Sequence, residues 1–242
     1  MADTTVRSGK LSSMRQFKAI LRKDIVMELR TKEMLTSIGL YALLVLLVYY
    51  IALSQAGTGF DVERIAAGLL WLAIIFTSLL GLNRSLVHEK DQGCLDALLL
   101  SPIDRPVIFF GKAVGNLIFL LIVEVLVVPL FYLIFLSGAD LNSGPWWMLA
   151  LSLLVGSIGI AGVGTMLATM SVNTKGKDFV LAVLFIPIMF PLLLTVVAAS
   201  SVVIMGDPGY GAIYWKMMAA AGGYDAVMLL AAFALYEFIL GA

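Results

Sequence analysis

Long apolar segments alternate with short polar ones along the chain, and six of the apolar segments are long enough to cross a membrane. A helix of about 20 apolar residues covers the roughly 30 Å hydrocarbon core of a bilayer. The pattern therefore predicts six transmembrane helices joined by short turns. We place them at 34–54, at 65–86, from between 107 and 112 to 136, at 146–170, at 179–205, and from 226 to the end.

Two of these spans carry further signals. Pro187 and Pro191 each lack a backbone donor and should kink or break the fifth helix. The fourth span is rich in small residues that allow helices to approach closely, which favours helix packing over a substrate groove. These small residues are Gly156, Ser157, Gly159, Ala161, Gly162, Gly164 and Thr165.

The segment between the fifth and sixth spans, residues 206–225, contains Tyr210, Tyr214 and Trp215. Aromatic side chains of this kind favour the membrane–water interface. We therefore expect this segment to lie outside the hydrocarbon core and to rest at the interface.

Residues 11–32 show a different pattern, with an apolar and a basic stripe on one helix. The apolar stripe is Met14, Phe17, Leu21 and Ile25, and the basic stripe is Arg15, Lys18 and Arg22. Because a membrane span follows directly, we interpret this segment as an interfacial helix whose cations reach lipid headgroups; a solvated helix beside the membrane is the alternative. The chain thus divides into an N-terminal tail with this helix (1–33) and a transmembrane domain (34–242).

The longest polar interruption in the middle of the chain is the stretch 88–106, HEKDQGCLDALLLSPIDRP. Asp91 can cap a helix that ends near Ser101, because Pro102 disfavours helical backbone before it. This helix of residues 91–101 is too short to cross a bilayer, and Leu95, Leu98 and Leu99 give it an apolar edge. It lies at the membrane surface, docks onto a partner, or is an ordinary polar loop with helical character.

The distribution of cations sets the orientation. Fourteen Lys and Arg residues fall in the N-terminal arm and in the second and fourth connections, whereas only Arg64 and Lys216 fall on the opposite side. Cytoplasmic segments carry the excess of Lys and Arg, so both termini and the 91–101 helix should be cytosolic. The N-terminal residues lack the apolar core of a cleavable signal peptide, so the first span doubles as the insertion signal.

Composition places the chain among membrane proteins and excludes several kinds of chemistry. Of 242 residues, 61% are hydrophobic and 13% are charged, the mean hydropathy is +1.02, and the net charge is zero, which gives no reason to expect nucleic-acid binding. A single cysteine, Cys94, and a single histidine, His88, make a disulfide, a catalytic triad or a metal site unexpected. No phosphate-binding GxxxxGK[ST] loop is present, so the chain itself should not hydrolyse ATP.

Glu124 is the ionisable residue that stands out inside a predicted span. It lies twelve residues beyond Lys112, or roughly 18 Å along a helix. A charge at such depth costs about 2.5–3.5 kcal/mol, so the side chain should face protein, pair, or be protonated. It is either part of a pathway or gating contact, or a neutral carboxyl with a hydrogen bond across helices. Pro129 nearby should disturb the helix locally.

The central polar stretch also resembles the cytosolic motif of the haem exporter B family (CcmB). The residues that carry the likeness run from Asp91 through Gly93, Leu95, Asp96, Leu98 and Leu99 to Pro102, although Cys94, Asp96 and Ala97 stand where that family has Ser or Thr, Glu and Gln. The amphipathic arm, the six spans, Glu124 and Pro129 extend the likeness to nearly the whole chain.

The resemblance implies an all-α polytopic subunit similar to a type-two ABC exporter, in the bacterial cytoplasmic (inner) membrane. The N-terminal helix would be its connecting helix and the 91–101 helix its coupling helix. It implies a separate CcmA-like ATPase, CcmC-like and CcmD-like membrane subunits, and a CcmE-like haem chaperone released at the expense of ATP. ATP would bind the ATPase and haem would be handled by the complex. The absence of histidine on the outer side fits a mechanical role better than haem binding.

Two other functions remain open from the residues. An ABC permease of the same build could export another lipid or drug-like substrate. An ion-coupled secondary transporter would need more than one ionisable group inside the membrane, and Glu124 is the one that stands out.

Overall fold

The computed structural model describes residues 13–31, 33–55, 61–91, 105–136, 145–171, 177–206 and 209–239. Within these ranges the chain is helical throughout its secondary structure and contains no β-strand. The elements are α1 (Ser13–Thr31), α2 (Glu33–Ser54), α3 (Val62–Asp91), α4 (Arg105–Phe131), a π-helical turn (Tyr132–Leu136), α5 (Trp146–Ser171), α6 (Lys177–Met205) and α7 (Tyr210–Ile239).

Six stretches of these helices are long and apolar enough to cross a membrane. They are Thr36–Ser54, Val62–Leu82, Pro106–Leu136, Trp146–Ser171, Phe179–Met205 and Gly211–Leu235. The predicted fold class, an all-α polytopic membrane protein with six spans, is confirmed, and the first five spans agree closely with the sequence pattern.

The last span differs from the prediction. Residues 210–225, expected to rest at the interface, are the first half of α7, a continuous helix of 30 residues. The membrane span within this helix is Gly211–Leu235, so it includes most of the residues that were expected to lie outside the hydrocarbon core. Gly222, Gly223, Lys216 and Asp225 make this segment look polar, although the helix buries Asp225 against its neighbours and leaves the other three exposed.

Helix α5 is the centre of the bundle. It is apolar all round, as expected for a helix that is enclosed by others. A Cβ atom at Gly156 would lie 2.1 Å from Trp71 of α3, at Gly162 2.3 Å from Leu229 of α7, and at Gly164 2.3 Å from Leu82 of α3. The small-residue series in the fourth span therefore serves helix packing, as predicted.

The prolines have unequal effects. The π-helical turn follows Pro129 by three residues, in agreement with the predicted local disturbance of that helix. By contrast, α6 continues as one helix through Pro187 and Pro191, so of the predicted kink or break, the break does not occur. Neighbouring helices can hold a transmembrane helix together around a proline, and both flanks of these prolines pack against the core through Phe185, Met189 and Leu192.

Candidate functional site

The predicted coupling helix falls largely outside the described residues. Asp91 is the last residue of α3, so the helix of the second span continues to the position where we expected a cap for a separate helix. Gly93, Leu95, Asp96, Leu98 and Leu99 lie outside the described residues, and their role stays a prediction.

Helix α1 is seated on the N-terminal part of α4. The ammonium Nζ of Lys112 donates to both carboxylate oxygens of Asp24, at 2.9 and 3.1 Å. Lys112 is only 4% exposed, so this ion pair between α1 and α4 is largely shielded from solvent. A Cβ atom at Gly111 would lie 2.9 Å from Cγ2 of Ile20, which shows how closely the two helices approach.

The buried and exposed sides of α1 differ in part from those that the sequence predicted. Gln16 and Ile20 are buried, whereas Met14 of the predicted apolar stripe is 62% exposed. Phe17, Leu21 and Ile25 are half-buried. The predicted basic stripe of Arg15, Lys18 and Arg22 is exposed, as an interfacial helix requires.

Two polar contacts join α4 to α5 in the interior. The Asn116 amide donates to the Thr165 hydroxyl at 2.8 Å, and the Ser157 hydroxyl donates to Oε1 of Glu124. Asn116 and Glu124 are eight residues apart on α4, and their partners are eight residues apart on α5 in the reverse order. The two helices therefore run antiparallel. Thr165 in turn donates to the carbonyl of Ala161 at 2.6 Å, so its hydroxyl acts as donor and acceptor at once.

Glu124 is buried, at 6% exposure, and its contact is the hydrogen bond across helices that the sequence predicted as one alternative. This satisfies one carboxyl oxygen with a partner from the central helix. A carboxyl at this depth needs a partner, and Ser157, from the small-residue series of α5, provides it. A role of Glu124 in gating stays a prediction.

Asp225 is the interior carboxyl that sequence reasoning missed. It is 5% exposed, and its Oδ1 has no hydrogen-bond partner within the part of the chain that the structure describes. A Cβ atom at Gly159 would lie 2.2 Å from this oxygen and 2.5 Å from Cδ2 of Leu192, so the carboxyl rests against the bare backbone of α5.

A signal for Asp225 was present in the spacing of its helix. The residues of α7 that face the core recur at intervals of three, four and seven, which is the pattern of one helix face. They are Tyr214, Met218, Ala221, Asp225 and Ala232, all buried. Lys112 was missed as a buried residue because it lies at the start of a span, where long side chains usually reach the interface.

The face of α7 that contacts α5 is polar at a second point. The Tyr214 hydroxyl donates to the Met148 carbonyl at 2.7 Å, and the Ser152 hydroxyl lies 3.5 Å from the Tyr214 oxygen. The described residues form no group of three or more His, Cys, Asp or Glu side chains that could hold a metal ion. Asn116, Glu124 and Tyr214 thus join α4 or α7 to α5, whereas Oδ1 of Asp225 makes no such contact with the residues that the structure describes.

Comparison with known proteins gives a consistent result. The family model described as "CcmB protein" matches residues 15–239. Three curated relatives carry the name "Heme exporter protein B". The Rhodobacter capsulatus protein is 28% identical over 177 residues, which is 73% of this chain and 78% of the relative. The Bradyrhizobium diazoefficiens protein is 27% identical over 204 residues, which is 82% and 87%. The Haemophilus influenzae protein is 26% identical over 180 residues, which is 74% and 76%.

Proposed function

This chain belongs to the CcmB family, and from that premise we propose that it is the membrane permease subunit of an ABC-type complex that handles haem during cytochrome c maturation. The observation that carries the proposal is the extent of the family match, which runs from α1 to the end of α7. It is a transporter subunit rather than an enzyme in its own right, and it draws on a separate CcmA-like ATPase.

The seat of α1 on α4 supports a mechanical role for this subunit. A helix that is joined to a span by a shielded ion pair, and by backbone contact at Gly111, moves with that span as one body. The Asn116–Thr165 and Glu124–Ser157 contacts then join α4 to the central helix. Force applied at the cytosolic end would pass from α1 to α4 and on to α5.

We assign the site of that force to residues 91–101, as the coupling helix. It begins at Asp91, where α3 ends, and Leu82 of α3 packs against Gly164 of α5, so this route also leads to the central helix. Leu95, Leu98 and Leu99 would fit an apolar pocket of the ATPase, while Asp91 and Asp96 would meet its basic residues. In the same proposal, CcmC-like and CcmD-like subunits lie beside this one, and ATP hydrolysis releases a CcmE-like chaperone loaded with haem.

The proposal is tested by a single charge on the expected apolar edge. Burial of one leucine is worth about 1.5–3 kcal/mol, and a charge in its place adds a desolvation cost. We expect Leu98→Glu to reduce co-purification of the ATPase at least about tenfold, and to abolish holocytochrome c formation in a bacterium that lacks its own haem exporter B gene. Membrane abundance should be unchanged.

Ala97→Glu is the matched control, because successive residues of a helix are about 100° apart and position 97 of the proposed helix would face away from the three leucines. This variant should retain the ATPase. A Leu98→Glu protein of normal abundance that retained its ATPase and supported maturation would show that residues 91–101 are a connecting loop without a coupling role. Failure of the wild-type chain to restore maturation beside its own cognate subunits would refute the proposed function itself.

A further inference from the structure

Asp225 lies where α7 packs directly against the backbone of α5. Its carboxyl occupies the space that a Cβ atom would take at Gly159, and Leu192 of α6 closes the same space from another side. The side chain is more than nine-tenths buried, and α7 at this position is part of the membrane span Gly211–Leu235. A carboxyl in this position is shielded by packed helices from bulk water and lies within the membrane span, away from the lipid headgroups.

No cation of the surrounding helices faces this carboxyl in the described ranges. Helix α5 contains no ionisable side chain, and α6 contains only Lys177 and Asp178, about 21 Å along the helix from Leu192. On α4, Glu124 is bonded to Ser157 and Lys112 is paired with Asp24. On α7 itself, the Tyr224 hydroxyl donates to the Ile188 carbonyl, and Lys216 is exposed.

An isolated carboxylate in such surroundings is far costlier than a neutral carboxylic acid. We propose that Asp225 is a proton-binding site in the membrane interior, occupied while α7 packs against Gly159 of α5 and vacated when the two helices separate. On separation the O–H bond breaks, the electron pair remains on the carboxylate, and the proton passes to water admitted between the helices. The ligand is the proton, and the site is independent of the chain's place in a haem complex.

The helix around Asp225 is suited to such a separation. Gly222 and Gly223 lie three and two residues before it, and a Cβ atom at either position would meet nothing within 4 Å. Glycine weakens a helix interior, and kinks concentrate at such positions. The half of α7 that follows these glycines can therefore move away from α5 while Tyr214 in the first half keeps its bond to Met148.

The protonation state can be read directly in the wild-type protein. Infrared spectra of the full chain in neutral buffer should contain the carbonyl stretching band of a protonated carboxyl, and labelling of aspartate with ¹³C at the side-chain carboxyl should shift part of that band. Asp225→Asn should remove the shifted part, whereas Glu124→Gln should leave it in place. A spectrum with no isotope-sensitive band of this kind would show that Asp225 is ionised, and would overturn the proposal without any variant having to fold.

The link between the proton and helix packing is tested by thermal unfolding in detergent at a series of pH values. The folded protein holds a proton that an exposed aspartate loses above about pH 4, so stability should fall as pH rises, with the unfolding equilibrium constant growing roughly tenfold per pH unit while the site is occupied. The stability of Asp225→Asn should depend on pH less steeply by that amount, whereas the stability of Glu124→Gln should retain the pH dependence that Asp225 contributes. Equal pH dependence of the wild type and Asp225→Asn would refute the link.

Discussion

At the scale of single residues, the two interior carboxyls differ in what the central helix offers them. Ser157 gives Glu124 a hydroxyl donor, whereas Gly159 gives Asp225 only an unsubstituted backbone. Serine and glycine both leave room for a neighbouring helix, but only serine can satisfy a carboxyl oxygen. One small-residue series on α5 thus creates a satisfied group on one side of the helix and an unsatisfied one on the other.

For Glu124 we expect the acceptor oxygen to matter more than the charge. Glu124→Gln keeps that oxygen, so unfolding stability should change by less than about 1 kcal/mol and most activity should remain. Glu124→Lys removes the acceptor and introduces a charge that costs about 2.5–3.5 kcal/mol, so membrane abundance should fall. Abundance, thermal unfolding and holocytochrome c formation give the answer. If the Gln variant assembles normally yet abolishes maturation, the carboxyl has a functional role beyond packing.

For Gly156 we expect strong sensitivity to a single methyl group. A Cβ atom there would lie 2.1 Å from Trp71, whose indole is buried and held by a 2.9 Å hydrogen bond to Ser200, so the ring cannot swing aside. Gly156→Ala should therefore lower stability by about 1–3 kcal/mol, despite the better helix propensity of alanine. Gly68→Ala, where a Cβ atom meets nothing within 4 Å, should be neutral or stabilising by up to about 1 kcal/mol. Equal thermal unfolding of the two variants would contradict this account.

At the scale of elements, the hydrophobic runs predicted the positions of most helices correctly, and isolated polar residues within a span led to the wrong predictions. A run such as 34–54 has only one arrangement that satisfies its backbone in lipid, so α2 begins and ends within a residue of the prediction. In α7 the glycines and Asp225 mimic a loop, because a sequence does not show that Gly159 on another helix will receive the carboxyl. The contacts of α1 with α4 could not be predicted either, because a sequence does not show which residues of separate helices will meet.

The ion pair between α1 and α4 can be tested through the connecting helix. Lys112→Met keeps the apolar stem but removes one of two cations at Asp24, which also lies 3.2 Å from Lys23 and whose side chain is 18% exposed and therefore partly hydrated. We expect a loss of about 2 kcal/mol, below the 3–5 kcal/mol typical of a fully buried pair, and faster amide hydrogen exchange in residues 13–31.

Lys18→Met is the control for this pair, because Lys18 lies on the exposed side of the same helix. It should change stability by no more than about 0.5 kcal/mol. Restoration of part of the lost stability in Asp24→Asn/Lys112→Met would confirm that the carboxylate deprived of Lys112 is the cause. Unaltered exchange of α1 in Lys112→Met would show that Ile20 and Gln16 alone hold the helix in place.

At the scale of the whole molecule, contacts between helices determine which helix ends share a face of the bundle. Trp71 and Leu82 of α3 meet Gly156 and Gly164 of α5 in the same order along both helices, so α3 and α5 run parallel. Gly159 and Gly162 meet Asp225 and Leu229 in the same way, so α7 runs parallel to them. Because α4 is antiparallel to α5 and α1 packs at the start of α4, the start of α2 and the ends of α3, α5 and α7 lie on one side.

With this arrangement the bundle can have only two orientations in the membrane, and the distribution of cations decides between them. The side that holds α1 carries fourteen Lys and Arg residues and the other side only Arg64 and Lys216, so we expect the α1 side to face the cytosol. Alkaline phosphatase fused after Asp140 should be active outside, whereas fusions after Lys177 and at the C-terminus should be inactive and give cytosolic reporter signals. Because six crossings return the chain to its starting side, an outward-facing C-terminus beside a cytosolic N-terminus would contradict both the number of spans and the seat of α1 on α4.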